Sequence, residues 1–273
     1  MRLILLCEIA MKNRLLKSAM VTGASSGIGE AYTRLLASLG YDLIIVARRK
    51  DRLVSIAREM QDKYGVSVTV LQGNLCSEKD VSTIEEIVLG TADLSVLINN
   101  AGFGTLGPFV DVDISKSLNM IALHVTAPTR LVKAALPGML ARREGIIVNV
   151  ASVAPFLPVS GNVIYDGTKS YLIAFSECLQ LEVESAGIRV QALCPGFTRT
   201  GFHSVDEYKS VDFSTIPAFM WMPAEKVVEQ SWQALRKKKV VFIPGFINRM
   251  TCTIFSGLFK YLARKRSATK DQP

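Results

Sequence analysis

Seven short runs along the chain are apolar at nearly every position and rich in β-branched residues. They are SAMVT (18–22), YDLIIVA (41–47), VSVTVL (66–71), LSVLIN (94–99), GIIVNVA (145–151), IRVQALC (188–194) and VVFIP (240–244). Runs of this kind suit strands covered on both faces. Helical patterns separate them. One spans Glu30 to Leu39 and stops at Gly40; another spans Tyr165 to Ala186 and stops at Gly187. Glycine just past a helix end is a stop signal. Pro223 suits the first turn of a helix running through Leu235. The alternation predicts an α/β fold: one doubly wound parallel sheet of about seven strands, with helices on both faces.

Composition narrows the picture without changing it. The 273 residues fit one large domain, with 49% hydrophobic and 21% charged positions, an ordinary globular balance. No linker or low-complexity tract divides the chain. The expected layout is an N-terminal extension (1–16), a catalytic domain (17–245) and a basic tail (246–273). The opening MRLILLCEIAMKNRLLK is too short for a secretory signal and lacks a small-residue cleavage site. Met11 is an alternative start. No run has the ~20 apolar residues needed to span a bilayer. Five cysteines without C-x-x-C spacing read as reduced, mostly buried thiols in a cytoplasmic protein. With two histidines and no zinc-ligand spacing, no metal site is expected. The net charge of +8 asks for an anionic partner: a phosphorylated cofactor, nucleic acid or a membrane surface. No arginine-aromatic array supports nucleic acid.

After the first strand comes TGASSGIG (22–29), with Gly23, Gly27 and Gly29 where a strand turns into a helix. Glycine allows a tight turn and close approach of backbone N–H groups to a pyrophosphate, and the helix N-terminus favours the anion. Tight strand-helix packing is the plain alternative. Later, YDGTK places Tyr165 and Lys169 four residues apart, hence on one helix face. In isolation that is a surface pair.

The T-G-x-x-x-G-x-G spacing resembles the short-chain dehydrogenase/reductase family. So do NNAG (99–102), Ser152 thirteen residues before Tyr165, Lys169 four after it, and PGFTRT (195–200), all in the family's order. The resemblance covers roughly residues 17 to 245. It implies NADP(H)- or NAD(H)-dependent interconversion of a carbonyl and an alcohol. It implies Ser152 as the group that orients the substrate, Tyr165 as acid/base, and Lys169 as the cation that tunes Tyr165 and holds the ribose. It further implies cofactor contacts from Gly23, Ser25, Ser26, Gly27, Ile28 and Gly29, from Asn74 and Leu75, from Asn100, Ala101 and Gly102, and from Pro195, Gly196, Thr198 and Thr200. Tyr165 and Lys169 join them.

Chemistry agrees with these roles. Hydride addition to a ketone leaves charge on oxygen that a donor must neutralise. A phenol titrates near ~10, and the Lys169 ammonium is expected to lower that value. The Ser152 hydroxyl can stabilise the developing charge. At the end of the second strand, Ala47 is followed by Arg48 and Arg49 rather than an acid. Arginines suit a ribose 2′-phosphate, so the expected cofactor is NADP(H), with Arg48 at the matching family position. A solvated basic loop is the alternative.

The chain departs from the family at His124, where HVTAPTRL (124–131) replaces a stretch that begins with asparagine. A histidine can donate and accept, so His124 is a candidate catalytic group; a hydrogen-bonded core histidine is the alternative. Asn74 stands where the family commonly has aspartate. Gly167 is costly inside a helix, and close approach of another backbone or a subunit would explain it. Residues 197–222 carry Phe197, Phe202, Tyr208, Phe213, Phe219, Met220, Trp221 and Met222, read as an apolar lid over a lipophilic carbonyl substrate; ordinary packing of loop against core is the alternative. The tail carries an apolar stretch and a Lys/Arg cluster. It is read as an amphipathic helix on an anionic membrane, an interface element or a frayed basic end. The resemblance also implies a homo-oligomer.

Overall fold

The computed structural model describes residues 17–204 and 212–254. The predicted extension and most of the basic tail lie outside the described residues, as do Tyr208 and the centre of the lid.

Seven strands form one parallel sheet: β1 (Ser18–Thr22), β2 (Asp42–Ala47), β3 (Val68–Gln72), β4 (Leu94–Asn99), β5 (Gly145–Val150), β6 (Ile188–Leu193) and β9 (Val241–Phe242). Two further strands, β7 (Thr198–Arg199) and β8 (Met222–Pro223), pair with each other. The order across the main sheet is β3-β2-β1-β4-β5-β6-β9. Between β1 and β4 the direction of winding reverses, and a crevice opens beyond the carboxyl ends of these strands. The glycine turn after β1, NNAG after β4 and Ser152 after β5 all lie at these strand ends.

The helices are α1 (Gly27–Ser38), α2 (Lys50–Tyr64), α3 (Glu78–Gly90), α4 (Ile114–Ile121), α5 (Ala127–Arg142), α6 (Val163–Val183) and α7 (Ala224–Leu235). Successive strand residues point to opposite faces, and the core divides accordingly. Ala19 and Val21 of β1, Leu43 and Ile45 of β2, and Val96 and Ile98 of β4 pack with Leu36 of α1, Met60 of α2 and Val228 of α7. Met20, Ile44 and Leu97, one register position away, pack on the other face with Val81 of α3, Leu131 of α5 and Val183 of α6. Each Val, Leu, Ile or Met among them, when fully buried, stabilises the fold by roughly 1.5–3 kcal/mol. Gly40 and Gly187 take the left-handed conformation past their helices, with φ of 83° and 78°. At Gly187 a Cβ would also lie 2.5 Å from the Arg143 carbonyl.

Three expectations need correction. β3, at the sheet edge, exposes Thr69 and Gln72, because no strand lies beyond it. Gly167 has no atom within 4 Å of the position a Cβ would take, so no close backbone approach within the described chain explains it. Of the cysteines, Cys194 and Cys252 are buried, Cys76 is half-buried and Cys178 is exposed. All four are free thiols, and Cys7 lies outside the described residues.

Candidate active site

The glycine turn is built by backbone contacts that leave no space for side chains. Gly23 and Gly27 have φ of 66° and 59°, and a Cβ on Gly29 would lie 2.2 Å from the Gly23 carbonyl oxygen. α1 therefore starts almost against the end of β1. Its N-cap residue, Ser26, makes no side-chain cap hydrogen bond, which leaves first-turn N–H groups of α1 for an anion. Ser26 Oγ instead accepts from Arg49 Nη2 at 2.8 Å, and Ser25 Oγ accepts from the same nitrogen at 3.0 Å. The arginine that reaches the glycine turn is Arg49. Arg48 and Arg49 are both exposed; the Arg48 carbonyl accepts from Gln72 Nε2 at 3.3 Å.

Thr22 ties this turn to the NNAG segment. Its hydroxyl accepts from the Asn100 N–H at 2.9 Å and the Ala101 N–H at 3.1 Å. The Asn100 amide donates to the Thr22 carbonyl at 2.9 Å. Asn99 turns into the protein and donates to Asn149 Oδ1 at 2.9 Å, so its side chain does not face the crevice. Thr200 arrives from the other side: its Cγ2 is 2.8 Å from where Gly27 would carry a Cβ. Thr198 is buried, with its hydroxyl on the Gly196 carbonyl at 2.9 Å. Pro195 accepts from the Val153 N–H at 3.1 Å, which joins PGFTRT to the segment carrying Ser152. Leu75 is buried in the core. Asn74 Oδ1 accepts from the Cys76 N–H at 3.2 Å. Ile28 packs partly buried against the core.

Ser152 follows β5, and Tyr165 and Lys169 project from α6. Tyr165 lies against Ser152, which favours its charged form; Ser152 Oγ accepts from the Ala154 N–H at 3.1 Å. Lys169 is buried; its ammonium donates to the Val150 carbonyl at 2.8 Å and lies 5.7 Å from the centre of the Tyr165 ring. The three residues come together as expected, but their electrostatics differ. Burial pushes the Tyr165 phenol up to about 12, with Ser152 opposing it. Burial also brings Lys169 down to about 8. Among the protein's own groups, loss of solvation therefore outweighs the attraction expected to acidify Tyr165.

His124 is buried between these elements. Its Nε2 accepts from the Phe103 N–H at 3.2 Å, and Nδ1 lies 3.0 Å from Thr168 Oγ1. Sequence reasoning missed Thr22, Phe103 and Thr168 as parts of this site. Thr22 was already in the glycine motif, but Phe103 and Thr168 become visible only through their contacts with His124.

On the open side, Phe202 packs against Tyr165 with ring centres 6.2 Å apart. Phe197 and Trp221 face each other at 5.3 Å, while Phe219 is 68% exposed. Among the described residues no group of His, Cys, Asp and Glu could hold a metal ion. No helix among them is long and apolar enough to cross a membrane.

The protein-family model described as short chain dehydrogenase matches residues 17–209. The chain belongs to this family. Two solved structures align along nearly their whole length. A short-chain dehydrogenase from Sphingobium yanoikuyae, in complex with NADPH, is 32% identical with a TM-score of 0.80, covering 94% of this chain and 96% of its own. The bulky-bulky ketone specific alcohol dehydrogenase from Comamonas testosteroni is 30% identical with a TM-score of 0.75, covering 94% and 95%. The human very-long-chain 3-oxoacyl-CoA reductase is 35% identical over 189 residues, 67% of this chain and 59% of its own. The chain thus spans about six-tenths of the length of the curated relatives it matches.

Proposed function

We propose that this protein reduces a bulky, apolar ketone or aldehyde to an alcohol with NADPH. The observation that carries the reading is the joining of Ser152, Tyr165 and Lys169 beside the glycine turn. Its residues fit a dinucleotide: the φ-positive glycines, the free start of α1, and Arg49 held at the turn by Ser25 and Ser26. NADPH, when bound, supplies the hydride. Gly23 to Gly29 would hold the pyrophosphate, Arg49 with Arg48 the 2′-phosphate, and Lys169 the ribose hydroxyls.

Ser152 would hydrogen-bond the substrate oxygen and hold it at the Tyr165 hydroxyl. Tyr165 keeps its proton at neutral pH, since burial raises its pKa to about 12. An alkoxide is a stronger base than that phenolate, so transfer from Tyr165 Oη to the new alkoxide is downhill. Lys169, charged below pH 8, then stabilises the phenolate. Phe202, Phe197 and Trp221 suit an apolar substrate. This is consistent with the bulky ketones of the Comamonas relative and the long-chain 3-oxoacyl substrate named for the human one.

The test is a panel of carbonyl compounds graded by size, with NADPH and NADH as alternative donors and Tyr165→Phe as control. The expected result is NADPH oxidation that rises with apolar bulk and vanishes in the variant. NADPH binding without turnover across the panel would favour a nucleotide-sensing protein instead, and a preference for NADH would overturn the cofactor assignment.

A further inference from the structure

Between α4 and α5 the chain makes a π-helical turn, Ala122–Thr126, in which the Ala127 N–H bonds the Ala122 carbonyl five residues back. The sequence explains the widening. Pro128 has no N–H for the carbonyl of residue 124, and its ring crowds that carbonyl. His124 sits inside this turn and is 1% exposed.

Its hydrogen bonds determine its protonation. The Phe103 N–H can only donate, so Nε2 must accept and carries no proton. The Thr168 hydroxyl donates to the Tyr165 carbonyl at 2.9 Å, so it can only accept from Nδ1. The proton of the neutral ring is therefore on Nδ1. The connection runs from the Phe103 N–H through the imidazole and the Thr168 hydroxyl to the backbone of Tyr165, and every proton in it is committed. No ring nitrogen remains to take up or release one. The charged neighbour is Lys169, and the other titratable group against the ring is Tyr165, with ring centres 5.9 Å apart. Burial and the Lys169 ammonium both hold the imidazole well below its usual pKa.

The packing around it is equally committed. A Cβ on Gly102 would lie 2.8 Å from His124 Nε2 and 3.7 Å from Lys169 Nζ. Glycine at 102 is thus the condition for the ring to stand where it does.

We infer that His124 is a positioning residue: a neutral bridge that fixes the Gly102–Phe103 turn, on the cofactor side, to the helix bearing Tyr165 and Lys169. This rests on the reading of those two residues as the reducing machinery. It does not need that reading for its first test, because the chain has only two histidines.

With histidine labelled in nitrogen-15, long-range proton–nitrogen spectra of the whole protein report the tautomer and charge of each ring, and His203→Gln assigns them. The expected His124 signal is the Nδ1–H tautomer, still neutral well below the ordinary histidine range. An Nε2–H tautomer, or protonation with a midpoint between pH 6 and 7, would overturn the inference even if the protein reduces ketones. The kinetic test then compares variants. His124→Ala should lower kcat about 10²-fold by letting the two elements drift, with an unchanged pH profile between 5 and 7.5. His124→Gln, which can accept at one end of its amide and donate at the other, should recover at least tenfold of that loss. A glutamine variant no better than alanine, together with loss of a pH limb seen in the native protein, would identify His124 as a proton carrier and refute the bridge.

Discussion

The two sides of the crevice are built on different principles. On the cofactor side, the β1–α1 turn is held by backbone: a Cβ at Gly29 would be 2.2 Å from a carbonyl oxygen, and Thr22 and Asn100 lock NNAG to the turn. On the substrate side, residues 201–204 and 213–221 form short 3-10 turns, and rings make the contacts there: Phe202 on Tyr165, and Phe197 and Phe213 on Trp221. Backbone contacts tolerate no change in shape, whereas side-chain contacts can be exchanged. A site organised in this way keeps one cofactor and leaves the substrate open to variation.

The comparison can be broken at several points. The largest effect is expected at Gly29→Ala: the added methyl must push α1 away from β1, at about 1–3 kcal/mol or more. NADPH affinity by calorimetry should fall about 10- to 100-fold; affinity within threefold of native would show that the turn is not rigid. Arg49→Ala should raise the KM for NADPH about tenfold, as expected for a lost charge-assisted contact, and leave that for NADH unchanged. A larger effect from Arg48→Ala would return the phosphate to Arg48. Reduction should also fall as pH rises through about 8, where Lys169, its pKa lowered by burial, loses its charge. A rate constant flat to pH 9.5 would mean that this charge plays no part. The smallest effect is expected on the open side. Phe219→Ser should raise the KM of bulky ketones about threefold, spare small ones, and change stability by no more than about 0.5 kcal/mol.

The sequence was most legible where geometry permits few residues. Gly23, Gly27 and Gly29 follow from a turn that excludes Cβ atoms, and Tyr165 and Lys169 from helical spacing. Strands β1 and β4 fall on the predicted residues because both faces are buried. β9 is shorter than predicted, since only Ala192 and Leu193 of β6 pair with it. What remained hidden depends on contacts distant in sequence. Arg48 and Arg49 are equivalent on paper, and only the fold brings Arg49 to Ser25 and Ser26. The choice between a catalytic and a core histidine at 124 needed Phe103, Thr168 and Tyr165 in space. The pKa of Tyr165 depends on how deeply α6 buries it, which spacing does not report.

The decisive measurement is single-turnover NADPH oxidation with a bulky ketone, native protein against Tyr165→Phe, alongside the NADPH dissociation constant of each. Removing the phenol hydroxyl should cut the rate by at least ~10²-fold, as for loss of a general acid, while cofactor affinity stays within threefold. A variant that turns over within tenfold of the native rate would mean that the proton comes from elsewhere, and that the grouping of Ser152, Tyr165 and Lys169 is not the reducing machinery.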